Sequence, residues 1–562
     1  MAGIYGRSWQ TNLAASNSDL QAVAASLMHR AGVDHQFTSG DGWLSGAVGP
    51  KASIRQYKLA RGAHLTVIGT FLFEHSQHRE SLSAFEQLAM LLDGDAEGIA
   101  SWFQEADGCF ALAMVDPERR KLLLANDRYG GVPIYTRQQQ STLSWASEVK
   151  ALAQQDLAAI DRTAVDDFLT RGWLAPPRTY YHGISQLPSG TALLANLTTG
   201  ETKNITVFSH RRAERTSAIP FDDAKAELKS RVRQAIQNRI AQSRSDEVVV
   251  TLSGGLDSRL LAAEAAAHAN VRTVTYGQPR SPELKIAGDV ARTLSLPHEI
   301  IPIDQSNWMA GRDRAVWMTD GMMNFADTHI VHVADAITDA GLVLDGLFGD
   351  VVLGRGEITV DPGADVFENR YLRMNRFTYF GPRIEQNFAT VATPLIDREL
   401  VNFMDSLPPE FTRNGRLYRE ASGEMHREVY SRIPWLKSGA LPYPYRPQRL
   451  STALAKVDRR ASQMSGWVGI PFFGERFTMD YFRWFRTKSF QALYRALVDG
   501  EGAMLRDFAS VPATGTLFGR IPSMKRLQMI GRVLTMEVWL RQAAAGRALS
   551  WEEMLGSSGV RR

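Results

Sequence analysis

A short glycine-rich turn at residues 253–258 carries the side chains with the clearest chemistry in this chain. Its sequence, Ser-Gly-Gly-Leu-Asp-Ser, lets main-chain N–H groups approach an anion closely, and its hydroxyls can donate hydrogen bonds to phosphate oxygens. Asp257 would repel a phosphate unless a divalent cation lay between them, so it predicts Mg²⁺. An ordinary strand-to-helix turn would explain the glycines but not this aspartate beside two serines. The predicted phosphate-binding residues are Ser253, Gly254, Gly255, Asp257 and Ser258.

Regular secondary structure is predicted on both sides of this turn. Residues 248–251 are apolar or β-branched, as in a buried strand, and residues 259–267 are rich in Leu and Ala, as in a helix. Further along, strand patterns at 271–276 and 297–302 enclose a helix pattern at 281–294. This alternation predicts a parallel sheet with helices on both faces.

Three segments of the N-terminal part share motifs with a known family. A predicted hairpin begins at Cys109-Phe-Ala-Leu-Ala-Met-Val115, and Asn126-Asp-Arg-Tyr-Gly-Gly-Val-Pro-Ile-Tyr135 and Ala146-Ser-Glu-Val-Lys-Ala-Leu152 follow it. These segments resemble the amidotransferase domain of class B asparagine synthetases. The turn at 253–258 resembles the SGGxDS loop of ATP pyrophosphatases, which release pyrophosphate and transfer AMP. It is not a Walker motif.

The resemblance implies a fold for nearly the whole chain. Residues 1–210 are expected to form an α+β sandwich of the Ntn-hydrolase type, a degenerate amidotransferase domain. Residues 211–562 are expected to form an α/β ATP-pyrophosphatase (PP-loop) domain with a parallel sheet and a helical C-terminal part. The polar composition around 200–220 places the predicted boundary there.

The N-terminal part departs from the family at its reaction centre. Glutamine-hydrolysing members carry a cysteine at position 2, whose thiolate attacks the glutamine amide, whereas this chain has Ala2. The family's Asn-Gly oxyanion pair is replaced by Ile68 and Gly69. Cys109 lies within a predicted strand and is expected to be a small core residue. We therefore expect no release of ammonia from glutamine, and a structural or docking role for this domain.

Other site residues are implied by the resemblance alone. Asp350 falls on the aspartate that holds Mg²⁺-pyrophosphate opposite Asp257, and Gly346 falls where the chain approaches the ribose. Lys437 is near the lysine that reaches the pyrophosphate and the tetrahedral intermediate. Leu347 replaces the family's Glu, or the Tyr of β-lactam synthetases, which contacts the acyl substrate. The implied catalytic residues are Lys437, Asp257 and Asp350, the implied metal ligands are the two aspartates, and the implied nucleotide-binding residues include Leu252, Tyr276, Gly277 and Gly346.

The resemblance implies ATP-dependent amide formation through an acyl-adenylate, with ATP and Mg²⁺ as cofactors. Among glutaminase-dead members, a lasso peptide macrolactam synthetase fits Leu347 and the Arg- and aromatic-rich region 370–450 best. Its partners would be a precursor core peptide and a protease or leader-binding protein. Two alternatives stay open: an ammonia-dependent synthetase acting on a small acid or sugar acid, and a catalytically dead binding protein.

Bulk composition narrows the classes of partner. The 64 Lys and Arg against 60 Asp and Glu give a formal charge of +4, too balanced to indicate nucleic acid binding. The single cysteine excludes intramolecular disulfides and cysteine-rich zinc sites. The chain shows no secretory signal and no apolar run of membrane-spanning length, so we expect a cytoplasmic protein without a membrane span.

Overall fold

The computed structural model describes most of the chain. Ala2 and the predicted domain boundary at 210–211 lie outside the described residues. The described residues are 3–9, 17–30, 32–73, 82–208, 218–243, 246–338, 340–354, 363, 366–447, 453–454, 457, 477–519 and 523–556.

Two antiparallel sheets of six strands each occupy the first 206 residues, in the orders β10-β8-β9-β1-β3-β2 and β12-β11-β7-β6-β5-β4. Their facing side chains share one core, in which Trp43 and Ala47 lie with Ile68 and Ala111, so the predicted sandwich is confirmed. The strands are β1 Gly3–Ser8, β2 Asp34–Gly40, β3 Trp43–Gly49, β4 Ile54–Lys58, β5 His64–Phe73, β6 Ala106–Asp116, β7 Lys121–Asn126, β8 Tyr135–Gln139, β9 Thr142–Ala146, β10 Ile184–Gln186, β11 Thr191–Asn196 and β12 Thr202–Thr206.

A parallel sheet of five strands follows, in the order β15-β14-β13-β16-β17, and confirms the predicted α/β domain. The valines at 248–250 on its central strand are fully buried, which is why this strand reads as a continuous apolar run. The strands are β13 Glu247–Thr251, β14 Asn270–Gly277, β15 His298–Pro302, β16 Leu342–Leu344 and β17 Val391–Ala392.

Helices flank all three sheets and form the C-terminal part. The helix Asp257–Ala265, here called the loop helix, starts directly after the glycine-rich turn. The other α-helices are Asn17–Leu27, Leu82–Met90, Ala96–Gln104, Val149–Ala153, Arg162–Arg171, Phe221–Ala241, Pro282–Thr293, Arg312–Met318, Ala334–Ile337, Gly349–Val352, Val366–Arg373, Phe380–Glu385, Arg398–Ser406, Pro409–Thr412, Arg416–Met425, Arg427–Tyr430, Tyr481–Trp484, Lys488–Val498, Thr514–Leu517, Met524–Ala545 and Trp551–Gly556, with a π-helix at Met374–Thr378. In the described part of the chain, no helix has the length and apolar character needed to cross a membrane.

Buried polar contacts join the two halves of the molecule. Arg383 donates a hydrogen bond from Nη2 to the carbonyl of Gly130 at 2.7 Å. Gln386 donates to the Sγ of Cys109 at 3.3 Å, and that cysteine is buried, as its strand position predicted. The sandwich is thus tightly packed against the parallel-sheet half.

Candidate active site

The glycine-rich turn leaves the carboxyl end of β13 and is braced by its own serines. The Oγ atoms of Ser253 and Ser258 lie 2.9 Å apart, and Ser258 Oγ also accepts a hydrogen bond from the Ser253 N–H at 2.9 Å. The Gly255 N–H donates a hydrogen bond to Ser253 Oγ at 3.1 Å. The turn is therefore held in one conformation, as a phosphate cradle requires.

One N–H group of the turn already donates a hydrogen bond to a carboxylate of the protein. Glu283 accepts a hydrogen bond from the Gly254 N–H at 2.9 Å through Oε1, and from the Thr478 hydroxyl at 2.9 Å through Oε2. This contact demonstrates that a main-chain donor of the turn is oriented toward an anion. It also brings the segment 477–481 to the mouth of the site.

Beside the turn lies a cavity of about 1020 Å³. It is large enough for a nucleotide together with a second substrate. Gly254, Gly277 and Lys437, which were also predicted, lie outside its lining. The predicted residues that line the cavity are Leu252, Ser253, Gly255, Asp257, Ser258, Tyr276, Gly346 and Asp350.

Asp257 and Asp350 face the cavity together. A Cβ on Gly349 would lie 2.2 Å from the Asp257 carboxyl carbon, so only glycine allows the Asp350 segment to pack this closely on the loop helix. Burial, and next the charge of Asp350, raise the pKa of Asp257 to about 7. A hydrogen bond from the Tyr418 hydroxyl to Asp257 Oδ1 at 2.7 Å opposes this rise. The charge of Asp350 thus disfavours a second negative charge on Asp257, and a divalent cation between the two carboxylates would neutralise both.

The donor set fits Mg²⁺. Among the described residues no group of three or more His, Cys, Asp or Glu side chains could hold a metal ion. Mg²⁺ typically takes one or two carboxylates and completes its shell with substrate phosphates and water. Asp257 and Asp350 would therefore be its protein ligands.

A second carboxyl pair lies deeper in the wall and was missed by sequence reasoning. Asp345 lines the cavity and accepts a hydrogen bond from the Leu347 N–H at 2.7 Å, and Glu385 is fully buried behind it. Burial raises the pKa of both groups, and the Asp345 charge raises that of Glu385 further. The surroundings of the pair therefore favour the protonated form of these carboxyls over the ionised form. No local pattern could have revealed it, because the two residues come from distant segments.

The cavity wall away from the turn includes many apolar and aromatic residues. The rings of Tyr276 and His329 lie 5.7 Å apart, and burial lowers the pKa of His329 to about 4, so its ring is neutral at pH 7. Leu347 lines this wall, and Arg373 is the one lysine or arginine among the lining residues. The arrangement can hold an organic substrate beside the nucleotide.

Lys437 lies next to the turn on the solvent side. Its side chain is exposed, with Nζ 5.4 Å from the ring centroid of Trp435. The neighbouring Leu436 N–H donates to the Gly254 carbonyl at 3.3 Å. The charge of Lys437 lowers the pKa of Asp257, although burial, the largest effect, raises it. The ammonium is thus within electrostatic reach of the proposed metal site.

Two family models match the chain: glutamine amidotransferase domain over residues 60–206 and asparagine synthase over residues 227–361. It is 33% identical to asparagine synthetase [glutamine-hydrolyzing] 3 of Bacillus subtilis over 29% of this chain and 26% of that protein. It is 27% identical to carboxyethyl-arginine beta-lactam-synthase of Streptomyces clavuligerus over 47% of this chain and 50% of that protein. It is 23% identical to asparagine synthetase [glutamine-hydrolyzing] of Mesocricetus auratus over 56% and 59% of the two chains. The chain therefore spans between about a quarter and three fifths of these relatives.

Proposed function

We propose that this protein, a member of the asparagine synthetase family, uses ATP to join a carboxylate and an amine of one peptide, giving a lasso-type macrolactam. The observation that carries the proposal is the single cavity of about 1020 Å³, which combines a phosphate-binding turn with a wall that includes many apolar and aromatic residues. One end suits ATP, and the other leaves room for a substrate larger than free aspartate.

The proposed reaction has two steps, adenylation of a carboxylate and formation of the amide. An oxygen of the substrate carboxylate attacks the α-phosphorus of ATP, pyrophosphate leaves, and an acyl-adenylate forms. The amine nitrogen then attacks the acyl carbon, AMP leaves, and the nitrogen loses a proton as the amide forms. Ser253 and Ser258 offer hydroxyls to the phosphates, and the mobile ammonium of Lys437 stabilises charge that develops on the phosphates and on the tetrahedral intermediate. Asp257 and Asp350 would hold Mg²⁺, which would neutralise part of the triphosphate charge.

Asp345 is suited to the proton transfer of the second step. It is the carboxyl on the cavity wall next to Leu347, with Glu385 buried behind it. Burial raises the pKa of Asp345, and a carboxyl with a raised pKa is a better base for an ammonium than an ordinary aspartate. It would accept the proton that the amine loses.

The amine is expected to come from the substrate rather than from glutamine. Ala2 provides no nucleophile. Cys109, the only cysteine of the chain, is buried, and burial raises the pKa of its thiol well above the usual range. A thiolate is the reactive form of cysteine. The chain therefore offers no group for glutamine hydrolysis.

An intramolecular amine is supported by two observations. A relative that aligns over 47% of this chain is named a beta-lactam-synthase, and a β-lactam is a cyclic amide. In addition, Leu347 places an apolar side chain in the cavity wall where polar recognition of a small amino acid would need a donor or acceptor. Holding both ends of one peptide together would replace a bimolecular step by an effectively unimolecular one.

Mass spectrometry tests the proposal directly. A candidate core peptide incubated with the protein, ATP and Mg²⁺ should lose one water and its free N-terminus, with AMP and pyrophosphate as co-products. Acetylating the peptide amine should stop product formation. Incorporation of nitrogen from labelled ammonium would instead establish an ammonia-dependent synthetase. Failure to release pyrophosphate with any acid or peptide would favour a binding protein.

A further inference from the structure

We infer that Arg259 is a positioning residue, which fixes the main chain of residues 429–437 on the loop helix and thereby sets the place of Lys437. The inference rests on the proposed function, because it assigns Lys437 a role at the phosphates. Arg259 touches neither the cavity nor, by the proposed mechanism, any reacting atom. Its influence would pass through the segment that it holds.

The contacts of Arg259 all go to one segment. The side chain is fully buried, and Nη1 donates to the carbonyls of Val429 at 3.1 Å and Ile433 at 2.9 Å. Nη2 donates to the carbonyl of Pro434 at 2.9 Å. Val429 lies in the short helix Arg427–Tyr430, and Ile433 and Pro434 follow this helix and lead to Lys437. A planar guanidinium can serve three acceptors at fixed angles, which a lysine ammonium at that depth cannot.

Two further contacts attach the same segment to the loop helix. The Tyr430 hydroxyl donates to the Leu256 carbonyl at 2.8 Å, at the start of the helix. His426 Nε2 lies 3.0 Å from Glu264 Oε2, near its end. The segment is thus attached to the element that begins with Asp257.

The position of Lys437 depends on this attachment. Lys437 lies in a tight turn in which the Gly439 N–H donates to the Trp435 carbonyl at 2.7 Å and the Trp435 N–H donates to the Ala440 carbonyl at 2.9 Å. This turn reaches the phosphate loop through the Leu436 N–H at the Gly254 carbonyl. Because the lysine side chain is exposed, its own contacts do not fix it. The carbonyls held by Arg259 immediately precede this turn and set its direction.

Arg541 provides a matched control. It is also a buried arginine whose guanidinium donates to main-chain carbonyls, those of Met554, Leu497 and Gly502. Leu497 and Met554 lie in C-terminal helices, Gly502 lies in a turn after the first of them, and none of the three lines the cavity. Arg541→Lys therefore reports the general effect of weakening such a network, and Arg259→Lys adds the specific effect on Lys437.

The first test measures the position of residue 437 by chemical labelling and does not require catalytic turnover. In Lys437→Cys, the introduced thiol is the accessible one, because Cys109 is buried. With ATP and Mg²⁺ at ten times the Kd measured for each variant, maleimide labelling should slow about tenfold, because only about one molecule in eleven stays unliganded and open to the reagent. With Arg259→Lys added, we expect less than about twofold protection, and with Arg541→Lys added, undiminished protection. Two results would overturn the inference. One is equal protection from labelling in Lys437→Cys and in both double variants. The other is no protection in the Lys437→Cys single variant.

The second test is a double-mutant cycle on pyrophosphate release. Arg259→Lys should lower kcat about tenfold in the natural background and less than about twofold in a Lys437→Met background, since coupled residues are not additive. The same loss in both backgrounds would show that Arg259 acts only on stability. Absence of pyrophosphate release from the unmodified protein would refute the proposed function, and the labelling test would still decide the role of Arg259.

Discussion

Replacing Tyr418 by phenylalanine should create a defect in Mg²⁺–ATP binding that depends on pH. The Tyr418 hydroxyl donates to Asp257 Oδ1 at 2.7 Å. This hydrogen bond favours the ionised carboxylate, which is the form that would hold the cation. Without it, the pKa of Asp257, which burial and the charge of Asp350 already raise to about 7, would lose the largest effect that lowers it.

The size of the effect follows from the hydrogen bond. A hydrogen bond to a charged group is worth about 1.5–3 kcal/mol. At about 1.36 kcal/mol per pKa unit, its loss would move the Asp257 pKa from about 7 to between about 8 and 9. For a shifted pKa of about 8.5, the middle of this range, the ionised fraction at pH 7 would fall from about one half to about 3%, so the Kd for Mg²⁺–ATP should rise about 15-fold. At pH 9 at least about half of the Asp257 carboxyl is ionised in both proteins, and the difference should shrink to about twofold or less.

Isothermal titration calorimetry between pH 6.5 and pH 9 measures this directly. Tyr494→Phe is the control, because Tyr494 is equally buried and its hydroxyl has no hydrogen-bond partner among the described residues. Its Kd should follow that of the unmodified protein at every pH. A Tyr418→Phe defect of constant size from pH 6.5 to pH 9 would refute the reasoning, since it would mean that the hydroxyl does not act through the ionisation of Asp257.

Two other predictions concern the separate halves of the molecule. Incubation with glutamine should release no glutamate above background, because Ala2 lacks a nucleophile and Cys109 is buried; release at rates typical of amidotransferases would contradict this. Asp257→Asn and Asp350→Asn should each lower pyrophosphate release by about 10²–10³, the effect of losing about 3–4 kcal/mol of charge stabilisation, with an unchanged circular dichroism spectrum. Near-normal release by either variant would show that the metal lies elsewhere.

Local sequence patterns predicted the strands and the helix that carry the site, but not every residue around its carboxylates. The parallel strands and the loop helix were predictable because apolar residues and a glycine-rich turn follow one another within a short stretch. The helix begins at Asp257, two positions earlier than its composition indicated, since the aspartate itself occupies the first turn. Glu385 and Tyr418 reach Asp345 and Asp257 from distant segments, and nothing in their own neighbourhood marks them. Such contacts depend on tertiary packing, which periodicity does not encode.

The packing between the halves gives a physical reason for keeping the first half even if, as proposed, it does not hydrolyse glutamine. Lys150, from the sandwich, donates to the Trp317 carbonyl at 2.7 Å and lies 3.2 Å from Asp320, both in the synthetase half, and all three residues are buried. Breaking a buried ion pair by removing one partner typically costs about 3–5 kcal/mol.

The apolar core is also continuous between the halves. Ile68 and Ala111 of the sandwich belong to the same buried cluster as Val250 and Leu261, which flank the phosphate turn. Removing the sandwich would expose this cluster to water and leave Arg383 without its Gly130 carbonyl. These contacts join described residues of the two halves and do not require glutamine hydrolysis. If the first half has no glutaminase activity, as proposed, its contribution to the stability of the candidate active site would still be kept.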